Sequence, residues 1–185
     1  MSERAVERAL PQASGRARAL AIVVAQACGM AVALTAAAKL RIYLPGSVVP
    51  ITLQTFVALA GGALLGVGGG AGGAALYAGL ASAGLPLMAG AGVVGPTGGY
   101  VLGFVAAAAM AAWARDRRPL TLLAALIGAH LVIYACGAAW LAAWTGSVRS
   151  ALVTGVAPFV FGDALKVAAV WTLAMGSRAR HRGGE

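Results

Sequence analysis

The stretch FVFGDALKVAAVW, residues 159–171, is apolar enough for a membrane-buried helix, yet it carries a carboxylate and an ammonium, Asp163 and Lys166. Three residues apart, they lie on one face of a helix. A charge at the bilayer centre costs roughly 2.5–3.5 kcal/mol on insertion scales, so such residues face a cavity or one another. A carboxylate accepts hydrogen bonds and an ammonium only donates them. Together they suit a polar group that carries both a donor and an acceptor. The alternative is a structural ion pair that staples the helix to itself, although desolvation can exceed the Coulomb gain of a buried pair. If the regular helix starts at Pro158, Asp163 lies about 7–8 Å from its outer end; a start at Ser150 moves the pair toward mid-membrane.

Further polar residues gather near the same end of the chain's apolar segments. SVVPITLQTF (47–56) carries Thr52, Gln54 and Thr55 at the start of a second helix, and VVGPTGGYVLGF (93–104) carries Thr97 and Tyr100 at the start of a fourth. A helix start leaves unpaired N–H groups that favour an anion. Gly98 and Gly99 would let a ligand approach that backbone. Each motif alone reads as an ordinary loop and cap; with Asp163 and Lys166 they suggest a capped pocket at the outer leaflet. Tyr77, mid-helix with a hydroxyl that needs a partner, is a further pocket candidate. Trp140 and Tyr100 are candidate walls, and Trp144 reads as an interfacial anchor. His130 reads as a satisfied interior histidine, because no carboxylate or second histidine is placed in sequence to make it catalytic or metal-binding. No second carboxylate, H-E-x-x-H or Ser/His pairing completes an active site, so no catalytic or metal-binding residue is assigned.

The elements that must position these residues follow from composition. The 185 residues are 61% apolar and 10% charged, with a mean hydropathy of +0.86. A soluble domain of this size cannot hide that much apolar surface. Ala and Gly dominate and β-branched alternation is sparse, which argues against a β-barrel. The expected class is an all-α integral membrane protein. Six segments are candidate spans at about 20 residues each: 20–40, 51–68, 70–85, 95–114, 120–144 and 150–175. Short connections make them one compact bundle at 20–176, between a polar tail at 1–19 and a basic tail at 177–185. No cleavable signal peptide is apparent.

The net charge of +9 would suggest nucleic acid in a soluble protein, but here the basic residues edge the apolar runs. Ten of the fourteen Lys and Arg fall on the side of the termini if both termini are inside, three fall outside, and Lys166 is within a helix. That bias predicts an N-in, C-in topology with a lipid bilayer, not nucleic acid, as the surroundings. Cys28 and Cys136 lie in apolar segments and read as small buried hydrophobes. GGALLGVGGGAGG (61–73) has the composition of a phosphate loop, but no G-x-x-x-x-G-K-[ST] occurs, so the chain has no visible means of hydrolysing ATP. It reads as a tight cytoplasmic turn between close-packed helices. On the first helix, Ala21, Ala25, Gly29, Ala33 and Ala37 recur every four residues, a stripe that permits close helix approach, to a partner or within the domain.

VPITLQTF, GLP, GPTGGYVLGF, YACGAAWL and PFVFGDALK follow one another in a specific order. This ordered set resembles the BioY family of biotin transporters, the substrate-binding S components of energy-coupling-factor transporters, over essentially the whole chain. The resemblance implies a six-helix bundle in the bacterial cytoplasmic membrane, with biotin near the outer face as transported substrate and no cofactor. It implies that Asp163 and Lys166 hold the ureido head, and the pocket candidates read from the residues, Tyr77, Gln54, Thr97, Gly98, Tyr100 and Trp140, would then surround the ligand. It also implies two ABC-type ATPases joined through a transmembrane coupling protein that docks on the small-residue stripe of Ala21, Ala25, Gly29 and Ala33. LMAGAGVV, between Pro86 and Gly95, carries no charge to meet the biotin carboxylate. Biotin's ureido ring offers two N–H donors and one carbonyl acceptor, which matches the Asp/Lys pair, and its apolar body suits an aromatic-lined pocket. Competing readings are an importer of another vitamin, an intramembrane enzyme using Asp163 as acid or base, and a purely structural bundle.

Overall fold

The computed structural model describes residues 3–88 and 94–182. The chain is helical almost throughout: α1 (Glu3–Lys39), α2 (Gln54–Gly66), a π-helical turn (Val67–Ala71), α3 (Gly72–Ser82), α4 (Gly98–Ala114), α5 (Pro119–Thr145), α6 (Val148–Gly155), a 3₁₀ turn (Ala157–Phe159) and α7 (Val160–Arg182). A two-residue antiparallel ribbon, β1 (Arg41–Ile42) with β2 (Ile51–Thr52), joins α1 to α2 in the register Arg41↔Thr52 and Ile42↔Ile51. Four stretches are long and apolar enough to cross a membrane: Gly15–Lys39, Gln54–Ser82, Pro119–Thr145 and Val148–Arg180, with Gly98–Ala114 shorter. The first helix begins at Glu3 rather than near residue 20, so the expected polar tail is the start of the same rod.

Gln54–Ser82 is helical along its length but is not one straight rod. A straight α-helix would separate Gln54 from Tyr77 by about 34 Å, yet Gln54 Nε2 donates to the Tyr77 hydroxyl at 2.7 Å. The reversal is at Gly66, whose φ of 75° belongs to the left-handed region that glycine enters without steric cost. Beyond it, the π-helical turn packs on α2 so closely that a β-carbon on Gly70 would collide with the Gly61 carbonyl, and α3 then carries Tyr77 back to Gln54. The glycine cluster is thus the tight turn its composition suggests.

Helix ends follow local chemistry. Pro119 occupies the first turn of α5, where its missing N–H is no loss, and Gly146 closes the helix in the left-handed conformation. Ser147 then caps α6 by accepting from Ser150 N at 3.2 Å. At the opposite end of α5, the Arg178 guanidinium donates to Arg117 O at 2.9 Å and to the Arg115 carbonyl, tying α7 to the end of α4.

The core is packed with alanine and with Leu34, Leu59, Tyr77, Leu122, Leu126, Ile133 and Leu141, all fully buried. Large apolar side chains also face outward, among them Phe161 (78% exposed), Val32 (68%) and Leu131 (60%). So much exposed apolar surface on a helical bundle matches hydrocarbon, not water, as the surroundings.

Candidate functional site

Between α6 and α7 the chain breaks at Val156, with φ −126° and ψ −60°. The carbonyls freed there find side-chain donors: Ser47 Oγ lies 2.7 Å from Thr154 O, and the Tyr100 hydroxyl donates to Gly155 O at 2.7 Å. The break decides where the charged pair sits. The regular helix restarts at Val160, so Asp163 falls in the first turn of α7, where the unpaired N–H groups and the dipole favour a carboxylate.

Asp163 is 4% exposed, and four groups surround it. Lys166 Nζ donates to Oδ1 at 2.7 Å and Thr55 Oγ1 approaches the same oxygen at 3.3 Å. The Tyr134 hydroxyl donates to Oδ2 at 2.7 Å, and His130 Nε2 stands 3.0 Å from Oδ2 without hydrogen-bond alignment. Lys166 is equally committed: its ammonium also donates to Thr52 O at 2.8 Å and to Thr55 Oγ1 at 3.1 Å. The ion pair therefore bridges α7 to the start of α2, and through Tyr134 to α5.

The pair borders a cavity enclosed by α2, α4, α5 and α7. Polar groups come from Thr52, Gln54, Thr55, Thr97, Tyr134, Asp163 and Lys166, and apolar walls from Val49, Met88, Tyr100, Val101, Phe104, Ile133 and Phe159. Tyr100 lies in a slot cut by two glycines: a β-carbon on Gly137 would collide with its ring, and one on Gly155 would crowd its hydroxyl. Thr97 Oγ1 is buried without a partner among the described residues.

Of the residues singled out in the sequence, Asp163, Lys166, Gln54, Thr97 and Tyr100 share this lining, and Tyr77, Gly98 and Trp140 do not. Tyr77 is fully buried between Gln54 and Leu87 O, which its hydroxyl approaches at 3.5 Å; it props Gln54 from behind. Gly98 bonds back to Gly95 O at 3.2 Å. Trp140 Nε1 donates to the same carbonyl at 2.9 Å, so the indole anchors the loop before α4. His130 also corrects its sequence reading: it is buried, but beside a carboxylate, and neither ring nitrogen has an aligned partner among the described residues. Tyr134 and His130 were the residues that spacing hid. They sit four apart on α5 and so share a face, with rings edge-to-face at 4.7 Å, but their common partner lies on another helix.

On α1, Ala21, Ala25, Gly29 and Ala33 are all exposed, and a β-carbon on Gly29 would meet nothing. Ala37, the fifth member of the stripe, is instead buried. The segment LMAGAGVV lies largely outside the described residues.

Comparison with known proteins bears on the whole chain. The family model described as "BioY family" matches residues 9–182. The chain belongs to the BioY family. Its relatives include a probable biotin transporter BioY from Pyrococcus horikoshii, 36% identical over 126 residues, or 65% of this chain and 75% of the relative. Another is the biotin transporter BioY of Thermotoga maritima, 33% identical over 141 residues, or 72% and 83% of the two chains. The fold matches the crystal structure of the S-component for biotin from an ECF-type ABC transporter, with a TM-score of 0.75 at 21% identity, covering 86% of this chain and 92% of that one. This BioY family chain is thus a membrane protein with an S-component fold, and its Asp163–Lys166 pair lies in the matched span.

Proposed function

We propose that this BioY family chain binds biotin in the cavity beside Asp163 and Lys166 and acts as the substrate-binding S component of an energy-coupling-factor transporter. The observation that carries the reading is the buried Asp163 carboxylate paired with the part-buried Lys166 ammonium at the edge of a cavity whose remaining walls include Tyr100, Phe104, Ile133 and Phe159. Biotin presents the complement: N–H donors and a carbonyl on one ring, followed by an apolar body. The Thr55 hydroxyl can rotate, so a ureido N–H can replace it as donor to Asp163 Oδ1, and the Tyr134 hydroxyl can turn toward the ligand. Lys166 supplies a donor for the ureido oxygen.

Six crossings with both termini in the cytoplasm fit the doubled-back α2–α3 hairpin and the distribution of basic residues. The membrane is the bacterial cytoplasmic membrane. The exposed stripe of Ala21, Ala25, Gly29 and Ala33 is the docking surface for a transmembrane coupling protein, and ABC-type ATPase subunits supply the energy. Residues 1–19 and 177–185 are the cytoplasmic tails.

Equilibrium binding of biotin to the purified chain in detergent tests the reading, with desthiobiotin and a free fatty acid as controls. Saturable biotin binding, with the ligand recovered intact, is expected. Turnover of the ligand would point to an enzyme, preference for another vitamin to a different importer, and no saturable ligand to a structural bundle.

A further inference from the structure

Each acceptor position of Asp163 has a potential donor near it. An ionised carboxylate offers about four lone-pair sites, and Lys166, Thr55, Tyr134 and His130 stand at all of them. Three of these partners line the cavity; His130 does not. It reaches Asp163 from an apolar groove between α5 and α7, on the other side of the carboxylate, beside Leu131 and Val167. Its Nε2 is 3.0 Å from the oxygen that already holds the aligned Tyr134 bond, its ring packs edge-on against Tyr134, and it is only 5% exposed. A buried imidazole with no aligned partner among the described residues calls for a physical reason.

We infer that His130 is a positioning residue for ligand recognition, a reserve donor that takes over Oδ2 of Asp163 when the Tyr134 hydroxyl turns to the ligand. With the ring proton on Nε2, a small rotation aligns the bond. The carboxylate then stays aimed into the cavity although one of its cavity-side donors has left. The exchange leaves the number of hydrogen bonds to Asp163 unchanged, so ligand entry does not strand a buried charge. The inference rests on the reading of this cavity as the biotin site.

The test is biotin affinity of purified His130→Leu and His130→Gln, each alone and with Asp163→Asn. His130→Leu should weaken binding about tenfold, and His130→Gln, which retains an N–H donor, should recover all but about threefold of it. On the Asp163→Asn background, His130→Leu should change affinity by less than about twofold, because its effect runs through the carboxylate. Equal losses on both backgrounds, or wild-type affinity in His130→Leu, overturn the inference. A second measurement needs no substitution. The chain has two histidines, His130 and His181, so ¹⁵N-histidine NMR of the intact protein resolves each. Biotin should move the Nε2 resonance of His130 toward a hydrogen-bonded donor, and an unmoved resonance at saturating biotin overturns the exchange. Failure of the unsubstituted chain to bind biotin would instead overturn the reading of the site itself.

Discussion

Tyr134 on α5 and Asp163 on α7 are joined by a 2.7 Å hydrogen bond from the phenol to Oδ2, at the edge of the cavity. The bond joins two helices that are also linked by Trp171 Nε1 donating to Pro119 O at 3.0 Å. It also sets the state from which a ligand must start, because the phenol is the cavity-side donor that occupies that oxygen. Tyr134→Phe removes the bond but keeps the ring against His130. A hydrogen bond to a charged group contributes about 1.5–3 kcal/mol. Loss of this bond should lower the melting temperature by a few degrees, and, if Tyr134 also contacts the ligand, biotin affinity should fall roughly tenfold. Tighter biotin binding in Tyr134→Phe would show that the phenol only competes.

The charged pair itself has two readings that a double substitution separates. Asp163→Asn preserves shape and removes charge, so biotin binding should weaken by roughly ten- to a hundredfold. Lys166→Met should do similar damage and leave the protein inserted. A structural staple predicts that Asp163→Asn/Lys166→Met restores both folding and affinity, since no unpaired charge remains. Recognition predicts a folded protein that still binds poorly. Near-normal affinity in the double variant would end the recognition reading.

Tyr100 depends on the missing side chain of Gly137, so Gly137→Val should push the ring toward the cavity and break its bond to Gly155 O. Overpacking of this kind costs roughly 1–3 kcal/mol. The expected result is a lower melting temperature together with weakened biotin binding. A variant with unchanged melting and binding would mean that α4 and α5 can separate at no cost.

The α1 stripe is exposed where a partner would need it. Gly29→Leu fills a position with nothing around it, so folding and biotin binding should survive. Energised uptake in cells that express the coupling protein and ATPases should fall, because the backbones can no longer approach closely. Unchanged uptake would assign the stripe to lipid contact.

Both termini are expected inside. Cysteines placed at Ser2 and Ser177 should resist a membrane-impermeant thiol reagent in intact cells and react after lysis. Labelling of either from outside would overturn the topology.

Much of this arrangement was legible before any fold was known. Hydropathy required helices in a bilayer, because no soluble core of 185 residues could bury so much apolar surface. The glycine cluster at 61–73 announced a tight reversal, since glycine accepts the positive φ at Gly66 and leaves room between α2 and the π-helical turn that follows it. Asp163 and Lys166 were visible as a pair because helical periodicity alone puts residues three apart on one face. What periodicity cannot give is the identity of a neighbour on another helix. The four-fold surroundings of Asp163 come from α2, α5 and α7, and only the packing of those helices brings Thr55, His130 and Tyr134 to one carboxylate. For the same reason Tyr77 and Trp140 read as ligand walls in the sequence. A buried hydroxyl or indole N–H needs a partner, and the tertiary structure, not the local spacing, decides that the partner is Gln54 for one and the Gly95 carbonyl for the other.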